Sequence, residues 1–208
     1  MFDMRLLANA LSMLLHPLWM TTGALVLCSR IDPFMFLDPG SQAGLIFLGL
    51  VFLMTALFPL VSTLLMRRSG LVSDLTLPTR SERIPVYIIG LLYHGMCWYL
   101  VRRITDHPVT LGIVIGAFIT LLLVLLITLY WKISAHMAGI GGLIGAVVAV
   151  MVLDGGEVTL ALSGLFVLAG ALGTARLIVS DHTPAQVYTG TLLGFVCVFA
   201  SAASGITT

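Results

Sequence analysis

From Val109 to Trp131 the chain reads VTLGIVIGAFITLLLVLLITLYW, without one charged side chain. A hydrocarbon core about 30 Å thick needs about 20 apolar residues in a helix, because each residue advances the axis by only about 1.5 Å. In a soluble domain such a run would have to be buried on every side. Composition removes that option. Of 208 residues, 59% are hydrophobic and 9% charged, with a mean hydropathy of +1.11. Soluble domains carry about 25% charged residues, so this chain lacks the polar surface to face water. The sequence predicts an integral membrane protein.

Seven runs of this kind, bounded by charges, Pro or Gly, are recognisable: roughly Leu6–Cys28, Ala43–Met66, Pro85–Val101, Val109–Trp131, Ala135–Leu153, Val158–Ala175 and Ala185–Thr207. Uninterrupted apolar runs fit helices; barrel strands would alternate. The expectation is an all-α, polytopic transmembrane helix bundle of about six or seven spans, forming one domain over residues 1–208. His16-Pro17 predicts a kink in the first run, since proline lacks the N–H that a continuous helix needs. Gly141 and Gly145, in GxxxG spacing, predict close helix packing in the fifth. The N-terminal run continues to a full spanning length and does not read as a cleavable signal. Trp98, Tyr99, Tyr130 and Trp131 stand at run ends, as interfacial aromatics do. Cys28, Cys97 and Cys197 are far apart and without CxxC spacing, which predicts buried thiols and neither a disulfide framework nor a zinc site. A net charge of +1 with no basic tract gives no sign of a nucleic-acid partner.

Counting crossings sorts the polar residues by side. The N-terminal face receives Arg5, Arg67, Arg68, the loop GLVSDLTLPTRSER, then Lys132-Ile-Ser-Ala-His136, then Arg176 to His182. The opposite face receives Arg30, Asp32, Asp38, Arg102, Arg103, Asp106, Asp154 and Glu157. Arg67 and Arg68 read as ordinary flanks. Three polar segments distant along the chain thus converge on one face, at the rim of the bilayer. The N-terminal face holds seven of the ten Lys/Arg, which argues for a cytoplasmic side. Without the four assigned below to phosphate, the count is three on each side.

The convergent side chains are Arg80, Arg83, Lys132, Ser134, His136, Arg176 and His182. Cations, a hydroxyl and two histidines suit an anionic, oxygen-rich group such as phosphate, for which arginine offers a fork of donors. Ser134 stands at the N-cap position of the fifth run, where free amides add an anion site. Two histidines can divide phosphoryl transfer, one attacking phosphorus and the other protonating the leaving oxygen. Asp74 shares the arginine loop and could pair with Arg80 or Arg83. His16 and His94 lie inside runs; each is read either as a satisfied internal hydrogen bond or as a substrate or proton group.

RLIVSDHTPAQVYTG resembles the third signature of the type 2 phosphatidic acid phosphatase superfamily, Ser-Arg-x5-His-x3-Asp, with Arg176 and His182 in register and Val187 and Gly190 in the continuation. KISAHMAG is similar to the second, Pro-Ser-Gly-His, with Ser134 and His136 in register. TLPTRSERIPVY loosely resembles the first, Lys-x6-Arg-Pro, with Arg83 as its arginine. The order is right, and the likeness runs from about Asp74 to Gly190. It implies a bacterial-type member of that superfamily in the inner (cytoplasmic) membrane. Its substrate would be a lipid phosphate or diphosphate: a phosphatidate, phosphatidylglycerol phosphate, isoprenoid diphosphate or lipid A type. His182 would become the phosphohistidine, His136 would protonate the leaving group, and Arg176 and Ser134 would hold the phosphoryl oxygens. No metal or other cofactor is implied.

The chain departs from that pattern in places. Thr76 stands where the first signature has lysine, a gap that Arg80 or Lys132 could fill. Ile133 and Ala135 replace the Pro and Gly of the second. Gln186 occupies the position of the aspartate that orients the nucleophilic histidine. Residues four apart share a helix face, so Gln186 can still bond His182, and Asp181 or Asp74 could supply a charge. An amide does not stabilise an imidazolium as a carboxylate does. The pattern therefore also admits a non-catalytic lipid-phosphate binder or carrier on the same helices.

Overall fold

The computed structural model describes residues 3–32, 38, 40–155, 157–179 and 182–204. Among the described residues every regular element is helical, and seven stretches are long and apolar enough to cross a membrane. The protein is an all-α polytopic bundle.

The first crossing is built from two short helices, α1 (Met4–Leu14) and α2 (Met20–Ile31), joined by a 3-10 turn over Pro17–Trp19. Eleven or twelve residues reach only about 16–18 Å, so neither piece spans alone. The kink expected at His16-Pro17 is a full break: His16 is extended, at φ −72° and ψ 140°, as a residue before proline tends to be. The second crossing joins α3 (Gln42–Phe52) to α4 (Phe58–Arg68) through a π-helical segment, Leu53–Leu57. The others are single helices: α5 (Arg80–Val101), α6 (Pro108–Thr128), α7 (Ala135–Asp154), α8 (Thr159–Val179) and α9 (Pro184–Ala203).

Boundaries differ from expectation in informative places. α5 begins five residues before Pro85 because Glu82 accepts the N–H groups of Ser73 and Thr79 and so caps the new end. Arg80 and Arg83 thereby sit on a helix and not in a loop. α8 runs past Ala175 to Val179, which puts Arg176 in its last turn. α9 ends at Ala203.

The centre of the bundle is the α7–α9 pair, with α6 packed on α9 and also against α7, as α2 and α8 are. Glycine decides how closely these helices meet. A Cβ on Gly145 would stand 2.6 Å from the carbonyl oxygen of Phe195, and a Cβ on Gly194 would strike the carbonyl of Ala138. Gly112 and Gly116 of α6 make the same kind of approach to Ala202 and Val198. Van der Waals contact between backbones drives helix association where no solvent is left to expel. Thus the GxxxG pair of α7 faces α9 at backbone distance, and the starts of these two helices are locked side by side.

Candidate functional site

That lock joins two of the three polar segments. Ser134 precedes α7, and its N–H donates to the carbonyl of Gln186 in the first turn of α9 at 3.4 Å. Gly190 lies one turn further along, and any Cβ there would come within 2.7 Å of the Ser134 carbonyl. Ser134 is fully buried, at 0% exposure, and its Oγ has no hydrogen-bond partner. It holds the N-cap position of α7 without capping it. The first-turn amides of α7 have no acceptor within the helix, so a buried hydroxyl and free N–H groups share one place.

α9 opens on Thr183-Pro-Ala-Gln186, a capping box: Thr183 Oγ1 accepts the Gln186 N–H, and Gln186 Oε1 accepts the Thr183 N–H at 3.1 Å. The same Oε1 lies 3.0 Å from Nδ1 of His182. Because a backbone N–H points at this atom it is the amide oxygen, an acceptor, and His182 must carry its proton on Nδ1. The lone pair is then on Nε2. Burial pushes the His182 pKa down from its usual 6.5 to about 4; the Gln186 bond pulls it up, and the charges of Arg176, Arg83 and Lys132 press it down. At neutral pH its Nε2 is a free base.

The cations come from three directions. Arg176 sits in the last turn of α8, within electrostatic reach of Arg83 and Tyr87. Arg83, in the first turn of α5, is buried, and its Nε donates to the Leu77 carbonyl at 2.9 Å. Leu77 holds a left-handed φ of 51°, a strain of about 1–3 kcal/mol in a residue with a side chain. Lys132 stands between α6 and α7, close enough to act on His182. Arg80 differs: it is exposed, and its guanidinium donates to the Tyr130 carbonyl at 2.8 Å, bracing α5 to the end of α6. Asp74 joins neither Arg80 nor Arg83. Its carboxylate accepts the Thr76 N–H at 2.8 Å, which holds its pKa below the usual range, and Arg67 is the cation that adds to this. Asp181 lies outside the described residues.

His136, in the first turn of α7, is within electrostatic reach of both Arg176 and His182. Its Nε2 lies 3.1 Å from the backbone carbonyl of Ser12. A carbonyl only accepts, so Nε2 carries the proton and Nδ1 the lone pair. The His16 ring stands edge to face with the His136 ring, centroids 5.0 Å apart. The sequence leaves His16 as either a satisfied internal hydrogen bond or a substrate or proton group; the structure sets it beside His136, and Arg176 acts on it as well. The internal bond also exists, since His16 Nδ1 accepts the Leu18 N–H at 3.3 Å. His94 bonds the Gly90 carbonyl of its own helix through Nδ1 at 2.9 Å. Tyr87, one turn along α5 from Arg83, is a neighbour of the site that the sequence reading missed.

Among the described residues no cluster of three or more His, Cys, Asp or Glu is placed to hold a metal ion. What does gather is a pair of imidazoles, three cations, a buried hydroxyl and two helix starts, at one end of the bundle. Such a set can bind a polyoxygenated anion and move a proton beside it. Fold and composition together define an all-α polytopic membrane protein. Comparisons with protein-family models, curated proteins and solved structures return no match to this chain.

Proposed function

We propose that the protein is an integral-membrane lipid phosphatase, hydrolysing a lipid phosphate or diphosphate through a phosphohistidine, in the inner membrane of a bacterium. The observation that carries this reading is the Gln186–His182 contact, which leaves Nε2 of His182 unprotonated and within electrostatic reach of three cations. Nε2 attacks phosphorus while the bond from phosphorus to the lipid oxygen breaks. Nδ1 of His136, whose Nε2–H stays on Ser12, takes the proton of the substrate's phosphate monoanion and passes it to the departing oxygen. Nδ1, again a base, then removes a proton from water as that water attacks the phosphohistidine, and hands it to the released phosphate. The products are the lipid alcohol, or the lipid monophosphate from a diphosphate, and inorganic phosphate, with both histidines restored. Arg176, Arg83 and Lys132 offset the charge on the non-bridging oxygens, and Ser134 offers a hydroxyl to one of them.

Phosphate release from a panel of lipid phosphates and diphosphates in detergent tests this reading, with wild type set beside His182→Ala and His136→Ala. Wild type is expected to turn over at least one lipid, His182→Ala none, and His136→Ala far less. Release that survives His182→Ala removes the nucleophile and the proposal with it. A second reading, a non-catalytic lipid-phosphate binder or carrier, is favoured by the neutrality of Gln186, which cannot stabilise an imidazolium by charge. Saturable binding of the same lipids without turnover is its signature.

A further inference from the structure

We propose that the His16-Pro17 break is the positioning element of His136: it presents the Ser12 carbonyl that fixes the His136 proton, and the His16 ring that fixes the imidazole plane. This rests on the phosphatase reading for its catalytic consequence, though not for its structural content.

A continuous helix would spend the Ser12 carbonyl on the N–H of His16, four residues on. Here the last backbone bond of α1 runs from Leu15 N–H to Leu11 O at 2.9 Å, and His16 turns away into an extended conformation. Pro17 brings no N–H of its own. The terminal carbonyls of α1 are therefore left without helical donors, in surroundings where an unmet carbonyl is costly. Side chains meet two of them. Trp19 Nε1 donates to Leu14 O at 2.7 Å, and His136 Nε2 donates to Ser12 O at 3.1 Å. The second bond crosses from the first span to the fifth and selects one tautomer. The other nitrogen of His136 is then the one that exchanges a proton with substrate.

His16 does the rest without touching substrate. Its Nδ1 is committed to the Leu18 N–H, which caps the 3-10 turn and locks the ring. That locked ring packs edge to face on His136 at 5.0 Å and takes away the freedom of the imidazole to turn about its Nε2–H bond. A bond to the remote nitrogen of a working histidine commonly sets its tautomer and orientation.

Two variants separate this role from plain stability. His16→Asn keeps an acceptor for the Leu18 N–H, because asparagine is a good N-cap, and deletes the ring. Pro17→Ala restores an N–H and lets α1 continue, so that the His16 N–H competes for the Ser12 carbonyl. The full-length protein in detergent, with nitrogen-15-labelled histidine, reports the His136 tautomer directly, and phosphate release gives kcat and KM. Wild type is expected to show His136 protonated on Nε2 alone; both variants are expected to show a mixture of tautomers. Their kcat should fall about 10- to 100-fold, as for the loss of a supporting hydrogen bond around a working ligand, with KM little changed. A His136 tautomer unchanged in both variants overturns the proposal, whether or not the thermal midpoint falls. A wild type that releases no phosphate defeats the phosphatase reading alone, and the tautomer measurement still decides this one.

Discussion

Gln186 places its amide oxygen 3.0 Å from Nδ1 of His182 and 3.1 Å from the N–H of Thr183, so one atom both caps α9 and sets the tautomer of the histidine. A carboxylate in the same place would keep both bonds and add a charge facing the imidazole. Gln186→Glu, which preserves the length of the side chain, is therefore expected to raise kcat by about tenfold or more. Exchanging a histidine-orienting aspartate for its amide in serine proteases lowers turnover about 10⁴-fold, which bounds the effect from above. Gln186→Leu loses both bonds and is expected to lower kcat and the thermal midpoint together. Steady-state phosphate release in detergent checks both, and a Gln186→Glu protein no faster than wild type would show that orientation without charge is sufficient.

The acid side of the pH profile follows from His182. Its pKa is depressed from 6.5 to about 4, with burial as the main cause. His182 stays unprotonated through neutral and mildly acidic pH, and in the proposed reaction its own contribution to kcat/KM should decline only near pH 4. Stability has the same sign: the unfolded chain takes a proton below pH 6.5 that the folded site refuses until about 4, so the contribution is complete above 6.5 and is lost as pH falls. Thermal midpoints of wild type and His182→Asn, compared between those limits, should converge as the pH drops. A gap independent of pH contradicts the assignment.

Arg83 and Arg80 should not be equivalent. Arg83 is buried, bonded to Leu77 and close enough to act on His182, while Arg80 is exposed and holds the Tyr130 carbonyl. Arg83→Ala is expected to reduce kcat/KM by about 10²-fold or more, the scale seen when one donor to a developing oxyanion is removed. Arg80→Ala is expected to change stability by less than about 1 kcal/mol and to leave kcat/KM nearly intact. Equal losses from the two would contradict the proposed phosphate site beside Arg83.

Glycine substitutions test the packing that joins the second and third polar segments. Gly194→Ala drives a methyl group into the Ala138 carbonyl and to 2.9 Å from Gly142 N, two backbone atoms with little room to yield. The cost is expected to be about 1–3 kcal/mol, as for other overpacked contacts, with activity falling alongside. Gly170→Ala on α8 meets nothing within 4 Å and serves as the control, with no loss of thermal midpoint expected.

Much of the fold was legible because lipid solvent demands long apolar runs and backbone bonds made within each helix. All seven spans could be located that way, and the GxxxG glycines of α7 do pack closely, as their spacing implies. Helix ends were less legible where caps compete with hydrophobicity. Thr79-Arg-Ser-Glu82 and Thr183-Pro-Ala-Gln186 both carry the capping-box spacing, and reading them would have started α5 at Arg80 and given Gln186 a structural task. The π segment at Leu53–Leu57 was not anticipated either, although Pro59 just beyond it brings no N–H to the helical ladder. At the site, the neighbourhood of His182, Arg176, Arg83 and Lys132 could be anticipated from crossing counts. The partnership of His136 with Ser12 and His16 could not: it joins residues 124 and 120 apart, and the signal is a carbonyl that no sequence pattern displays.

The pairing of α7 with α9 also fixes when the site can come into being. α7 buries its glycine face against α9, and α6 uses that same helix for its own close approach. A nascent chain that has inserted only through α8 therefore has His136 in place but neither His182 nor Gln186 held beside it, and a seam of bare backbone waits on α7. The central pair closes only once α9 has been inserted, and a truncation just before Pro184 would be expected to lose that helix pair together with the candidate site.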